Sequence, residues 1–343
     1  MKFRAVVVDD RGPDPALRRA VADLAARGLF VHLVNWRNSG FCASVNRGMR
    51  RARGRDVVLL NADTEVFDGW LDRLRAVAYG GDRIGTVTPL SNAATILSYP
   101  FFLADDHRRL EISSAELDAL AASLDQPPVE IPTAIGFCMY IKAACLKDVG
   151  LFDTFRFGAG YGEENDFCRR AVERGWINVA AANVFVWHWG GRSFGQRKER
   201  LLAKAMTALD RRHPTYHATV ADYISRDPLG PVRRRLDLAR VRLKAPRPVL
   251  RDVQLRPGGP GRAASAVALV DHAGGEAWAL HAAGVAAPNL PLLDPVNDPA
   301  GAEILLRDLE VSAIQLSRAV AAQPRGRALM ALADDMGISR KSK

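Results

Sequence analysis

Four groups of residues in this chain have side chains suited to chemistry. Asn61-Ala62-Asp63 follows Val57-Val58-Leu59-Leu60, a run of branched apolar residues that reads as a strand buried on both faces. Alternation puts Asn61 and Asp63 on one side of the chain, just past the carboxyl end of the strand, where open α/β sheets bind ligands. A hard divalent cation holding a diphosphate needs such oxygens. Mg²⁺ or Mn²⁺ needs few of them, because phosphate and water complete its shell. A second group opens a helix: the glycine-rich run ending at Gly162 delivers Glu163, Glu164 and Asp166 to its first turn. Near a helix N-terminus Glu164 is expected to stay ionised, as a general base must. A third is Val186-Trp187-His188, a strand ending in a histidine, with Arg192, Arg197 and Lys198 in the segment that follows. Asp9-Asp10, at the end of the first strand, is suited to accept from a uracil imide or a ribose hydroxyl.

Each group also has a plain structural alternative. Acidic residues opening a helix serve as caps, a histidine at a strand end hydrogen-bonds its surroundings, and Asp9-Asp10 can begin a turn. Taken together in one α/β unit, the groups suit transfer from a nucleotide-activated donor. A cation would neutralise the leaving diphosphate and a carboxylate would take the proton of the incoming hydroxyl.

The elements that must position these residues alternate. Strands are predicted at 3–9, 30–34, 57–61 and 84–88, the last stopped by Pro89, with helices between them at about 15–27, 43–53 and 69–78. Further on, a capping box at Ser113 and Glu116 starts a helix, 134–141 reads as a strand, and 177–181 and 184–187 read as two more. The expected architecture is α/β, a Rossmann-like and mostly parallel sheet with helices on both faces, and a partial α/β segment at the C-terminal end.

Composition sets bounds. The chain has 343 residues, 48% hydrophobic and 25% charged, as expected of a globular protein with a real core. No apolar run approaches the ~20 residues of a membrane span and no signal peptide opens the chain. Cys42, Cys138, Cys145 and Cys168 lack metal-ligand spacing, so a reducing cytoplasm fits. The net charge of +10 is local: residues 191–256 hold 17 Lys and Arg against 6 Asp and Glu. Zinc-finger and RNP motifs are absent there, so no nucleic acid partner is expected. The five prolines between 230 and 260 predict a linker. Within it, Val232, Leu236, Ala239 and Leu243 among arginines would form a face able to lie on anionic lipid.

The order and spacing of these motifs resemble the inverting, GT-A-fold glycosyltransferases of family 2, especially the bacterial rhamnosyltransferase-like members, over about residues 3–212. Val7-Val8-Asp9-Asp10 resembles the family's nucleotide-binding strand end. Asn38-Ser39-Gly40-Phe41 with Asn46 and Gly48 is similar to its N-x-G-F-x-x-x-x-N-x-G segment. Asn61-Ala62-Asp63 stands at its DxD-like site, Gly136-Phe137-Cys138-Met139 at the small-residue strand before the acceptor, Gly150-Leu151-Phe152-Asp153 at its G-x-F-D, and Gly162-Glu163-Glu164 at its G-E-D. The resemblance implies a nucleotide site at Asp9, Asp10, Asn38 and Asn61, and a Mg²⁺ or Mn²⁺ site at Asp63 and His188. Glu164 would be the catalytic base with Asp166 in reserve, and Gly136, Glu163, Arg192, Arg197 and Lys198 would meet diphosphate or acceptor. The donor would be a nucleotide sugar and the acceptor a hydroxyl of a bacterial surface glycan or lipid-linked molecule, handled in the cytoplasm or peripherally on the membrane's cytoplasmic face.

Two departures shape the expectations. The family opens with a further strand and helix, but Met1 lies only eight residues before Asp9, so this unit is expected to be missing. Glu164 also stands where Asp is commoner. A catalytically inactive remnant binding glycan or protein is therefore the rival reading. A nucleotidyltransferase would need a glycine-rich phosphate loop near the N-terminus, and a dinucleotide-binding oxidoreductase a GxGxxG after the first strand; neither is present. The expected domains are 1–215 (GT-A, N-terminally truncated), a basic Pro-rich linker at 216–262, and an incomplete second α/β domain at 263–338. That last segment, with Val267–His272 and Gly274-Gly275, resembles the start of a GT-B domain; a disordered tail would follow at 339–343.

Overall fold

The computed structural model describes residues 3–52, 54–158, 160–190, 195–252, 266–272, 277–282 and 284–341. The chain forms two units, Met1–Ser98 with Phe102–His107 and Ala121–Pro228, and Leu229–Lys343 with Tyr99–Phe101 and Arg108–Leu120.

The first unit runs β1 (Val6–Asp9), α1 (Pro15–Ala26), β2 (Val31–Val34), α2 (Phe41–Arg51), β3 (Val57–Leu60), β4 (Thr64–Glu65), α3 (Trp70–Tyr79) and β5 (Ile84–Ser91). After α4 (Ser114–Ser123) come β6 (Val129–Glu130), β7 (Cys138–Ile141), α5 (Ala143–Val149), α6 (Thr154–Phe157), α7 (Glu163–Glu173), β8 (Ile177–His188), α8 (Gly195–Arg212) and α9 (Tyr216–Arg226). This is the alternating α/β architecture that the hydrophobic pattern predicts.

β1 and β2 pair in parallel as a ribbon of their own. The larger sheet has the order β3-β7-β5-β8-β4, with β6 on β8. Its centre is the parallel pair β5–β8, and β7 inserts antiparallel between β3 and β5. All eight residues of β5 are buried, as expected of a strand covered on both faces. Pro89 does not stop it. The register shifts at Pro89/Leu90, and β5 continues to Ser91, so that its end lies beside the end of β8. Likewise the two short strands expected at 177–187 are one, β8. Met139 and Ile141 of β7 pack with Cys42 and Met49 of α2, Phe167 and Ala171 of α7 and Leu209 of α8. Through this core, β7 and α2 fix where α7 begins.

The second unit holds α10 (Gly230–Lys244), β9 (Val249–Asp252), β10 (Ala266–Asp271), β11 (Trp278–Ala282), α11 (Pro299–Asp308), β12 (Ala313–Gln315), α12 (Arg318–Ala321), α13 (Pro324–Asp335) and β13 (Ser339–Arg340), in the sheet order β11-β10-β9-β12-β13. The expected linker is corrected as far as it is described: residues 216–252 carry α9, α10 and β9, and residues 253–262 lie outside the described residues. Of the apolar face expected on α10, Val232 and Leu236 are buried, at 5% and 1% exposure, while Leu243 is 56% exposed. Two of the arginines of α10 are buried rather than solvated. Arg233 and Arg240 are 1% and 0% exposed, and Arg240 is held by Glu111, Asp237 and Tyr99. Within the tail expected to be disordered, Ser339 and Arg340 pair with Ala313 and Ile314, and residues 342–343 lie outside the described residues. Among the described residues no helix is long and apolar enough to cross a membrane.

Candidate active site

Asp63 and His188 come together. β4 pairs Thr64 with His188, and the Trp189 N–H donates to the Asp63 carbonyl at 2.9 Å. This brings His188 Nε2 to 3.5 Å from Asp63 Oδ1. The other ring nitrogen, Nδ1, lies 3.1 Å from the carbonyl of Ala93, which can only accept. In the neutral ring the proton therefore sits on Nδ1, and Nε2 turns its lone pair toward the carboxylate. Two electron-rich atoms facing one another at this separation fit a cation between them. Among the described residues no third His, Cys, Asp or Glu joins the pair, so a bound Mg²⁺ or Mn²⁺ would take its remaining ligands from diphosphate and water.

One strand connects this pair to the acidic loop. Phe137 stacks on His188 with ring centroids 5.3 Å apart and planes 20° apart, and its carbonyl accepts from Asn61 N–H at 2.8 Å. Its neighbour Gly136 faces Glu164: a Cβ at Gly136 would stand 4.0 Å from the Glu164 carboxyl. Gly136 thus leaves room for the Glu164 carboxyl.

Left-handed backbone at Gly160, Tyr161 and Gly162 (φ 97, 71 and 100°) turns the chain into α7. Any side chain at Gly162 would press on the Phe157 ring at 3.3 Å, which with its φ makes glycine the fitting residue. Glu163 is only 4% exposed, and its Oε2 and that of Glu164 are both buried without a hydrogen-bond partner. Burial and then the Glu164 charge push Glu163 up to about 9; burial raises Glu164 as well. The expectation that the helix N-terminus keeps Glu164 readily ionised is corrected. Backbone N–H groups of Gly162 and Glu164 do pull its pKa down, but desolvation outweighs them. The pair therefore holds a proton more tightly than exposed carboxylates do.

The remaining carboxylates are tied up. Asp166 is fully buried and bonded to Arg170 at 2.8 Å, Arg212 at 3.1 Å and His213 at 3.0 Å. It cannot reach a substrate, and its reserve place as a base is withdrawn in favour of a structural one. Asp10 accepts from Ser39 N–H (2.7 Å), Gly40 N–H (2.9 Å) and Asn35 Nδ2 (2.7 Å), holding the entry to α2. Asp9 closes its own turn through the N–H groups of Arg11 and Gly12, with its second oxygen left over. Asn38 is exposed in the same loop. Beside it an open cleft of about 410 Å³ is lined by Asn35, Trp36, Ser39, Ala43, Arg47 and Arg50. Arg192 lies outside the described residues, as do the side chains of Arg197 and Lys198.

Two further motif residues prove to be braces. Asn46 grips Phe152 by both its N–H and its carbonyl (3.1 and 2.9 Å), and Asp153 caps α6 through Phe155 and Arg156 N–H. The sequence reading missed Asn92. It carries the same signal as Asn61, an amide just past a strand's carboxyl end, but the strand expected to stop at Pro89 runs on to Ser91.

A carboxylate–imidazole pair at the ends of β4 and β8 is joined through Gly136-Phe137 to a buried carboxyl pair on an α/β domain. The profile described as glycosyltransferase like family 2 matches residues 5–207, and the chain belongs to that family. No curated protein sequence matches it. Among solved structures it is similar to GalNAc-T7 with UDP, GalNAc and Mn²⁺, at 19% identity over 60% of this chain and 41% of that one, TM-score 0.44. It is also similar to the mannosyltransferase PcManGT of Pyrobaculum calidifontis in complex with GDP-Man and Mn²⁺, at 16% identity over 69% and 65%, TM-score 0.42. A third, S. aureus TarS 1–349, matches at 15% identity over 69% and 77%, TM-score 0.39.

Proposed function

We propose that this protein is an inverting, metal-dependent glycosyltransferase. It would move a hexosyl or rhamnosyl group from a nucleotide sugar to a hydroxyl of a bacterial surface glycan or lipid-linked acceptor. The observation that carries the reading is Glu164, whose carboxyl faces Gly136, beside the residue that stacks on His188, and whose Oε2 is buried without a partner. A buried acceptor without a donor fits an incoming hydroxyl. Family membership supplies the reaction class, and the resemblance of the motifs supplies inversion and the bacterial acceptor.

In this reading Asp63 and His188 hold Mg²⁺ or Mn²⁺, which when bound offsets the charge growing on the diphosphate. Glu164 takes the acceptor's proton as the acceptor oxygen bonds to the anomeric carbon and the bond from that carbon to the diphosphate breaks. The raised pKa makes Glu164 a stronger base than an exposed carboxylate once it is ionised. Glu164→Gln should lower kcat by at least 10²-fold while nucleotide binding with Mn²⁺ persists in calorimetry. Unchanged turnover would remove Glu164 from the mechanism.

One observation favours a second reading, a binding module without turnover. Among the described residues β1 pairs only with β2, and β3 pairs only with β7, so each leaves one ladder edge without a strand. Such a module should show no metal-dependent binding of UDP or GDP.

A further inference from the structure

Asn92, which stands just past the end of β5, is 2% exposed. Its side-chain amide grips the main chain of His188 from both sides. Oδ1 accepts the His188 N–H at 2.8 Å, and Nδ2 donates to the His188 carbonyl at 3.0 Å. Nδ2 also donates to the Asp106 carbonyl at 3.1 Å and lies 3.4 Å from His107 Nδ1, and the Asn92 carbonyl accepts from Asp106 N–H at 2.9 Å. The next residue, Ala93, offers the carbonyl that fixes Nδ1 of the His188 ring. A two-residue turn thus holds both the backbone and the tautomer of one histidine, while Phe137 covers a face of its ring.

We infer that Asn92 is a positioning residue that aims His188 Nε2 at Asp63 and so sets the affinity of the pair for a divalent cation. This rests on the metal site proposed above. No other side chain bonds His188's own N–H and C=O among the hydrogen bonds described. Without the amide, both main-chain groups at a mostly buried strand end lose their partner, and the histidine can rotate away from Asp63. Replacing such an outer partner typically weakens metal binding about 10- to 100-fold.

The test titrates Mn²⁺, with UDP present, into wild type, Asn92→Ala, Asn92→Asp, His188→Ala and Asp63→Asn, reading free Mn²⁺ by electron paramagnetic resonance. Thermal melting without metal is recorded alongside. Asn92→Asp keeps the acceptor for His188 N–H and loses the donor, so its affinity should fall between those of wild type and Asn92→Ala. Wild-type Mn²⁺ affinity in folded Asn92 variants would overturn the inference. If His188→Ala and Asp63→Asn lower Mn²⁺ affinity in that case, the metal site itself stands. If those two leave Mn²⁺ binding unchanged, the metal site falls and the inference falls with it.

Discussion

Glu163 and Glu164 stand side by side at the start of α7, and their adjacency decides how the site is charged. Two buried carboxyls this close do not both ionise readily, and Glu163, the less exposed, holds its proton to about 9. The consequence for stability has a definite sign. Glu163's folded pKa is raised, so between about 4.5 and 9 the unfolded chain has released a proton that the folded chain keeps. The folded state therefore loses stability as pH rises through that window. Glu163→Gln removes this loss. Its melting temperature relative to wild type should climb steadily from pH 5 to pH 9, and parallel melting curves across that range would show that Glu163 is ionised when folded. The same scale explains why neighbouring acidic residues differ so much in role. Asp166 lies one helical turn from Glu163, yet it meets Arg170, Arg212 and His213 and is a structural anion.

Between elements, buried polar side chains do the joining. Asn46 ties α2 to the turn before α6, Lys142 caps α3 through the carbonyls of Ala78 and Gly81, and Arg170 bonds the carbonyls of Val149 and Leu151 while pairing with Asp166. The Asp166 cluster fixes α7 against α8, and so the direction in which Glu163 and Glu164 point. Asp166→Ala would leave Arg170 and His213 without their shared anion. It should destabilise the first unit by about 3–5 kcal/mol, as breaking a buried pair does, read as a lower midpoint in urea. A loss below about 1 kcal/mol would mean that solvent already screens the cluster.

At the scale of the whole molecule the chain is two α/β units, each with its own core. In the second, Arg240 is fully buried among Glu111, Asp237 and Tyr99, and Asn289 completes the shell around Asp237. Truncating Arg240 to Ala should cost about 3–5 kcal/mol, because it strands two carboxylates in low dielectric. Hydrogen exchange should report the loss in α10 and β9. Protection there equal to wild type would assign the network no role in stability.

Much of this protein is written locally. Alternating apolar runs, the Asp14-Pro15 start of α1, and oxygen-bearing residues just past strand ends depend on neighbours in the chain, so the α/β pattern and the chemical candidates could be read in order. What only the tertiary structure decided is which candidates are free to act. Asp10 and Asp166 look like Asp63 and Glu164 in sequence, but their oxygens are taken by Ser39 and Gly40 in one case and by Arg170, Arg212 and His213 in the other. The arginines of α10 look solvated until Glu111 and Asp237 bury Arg240. Burial and hydrogen-bond partnership are properties of residues far apart in the chain, and a carboxylate's pKa and reach follow from them rather than from its own sequence context.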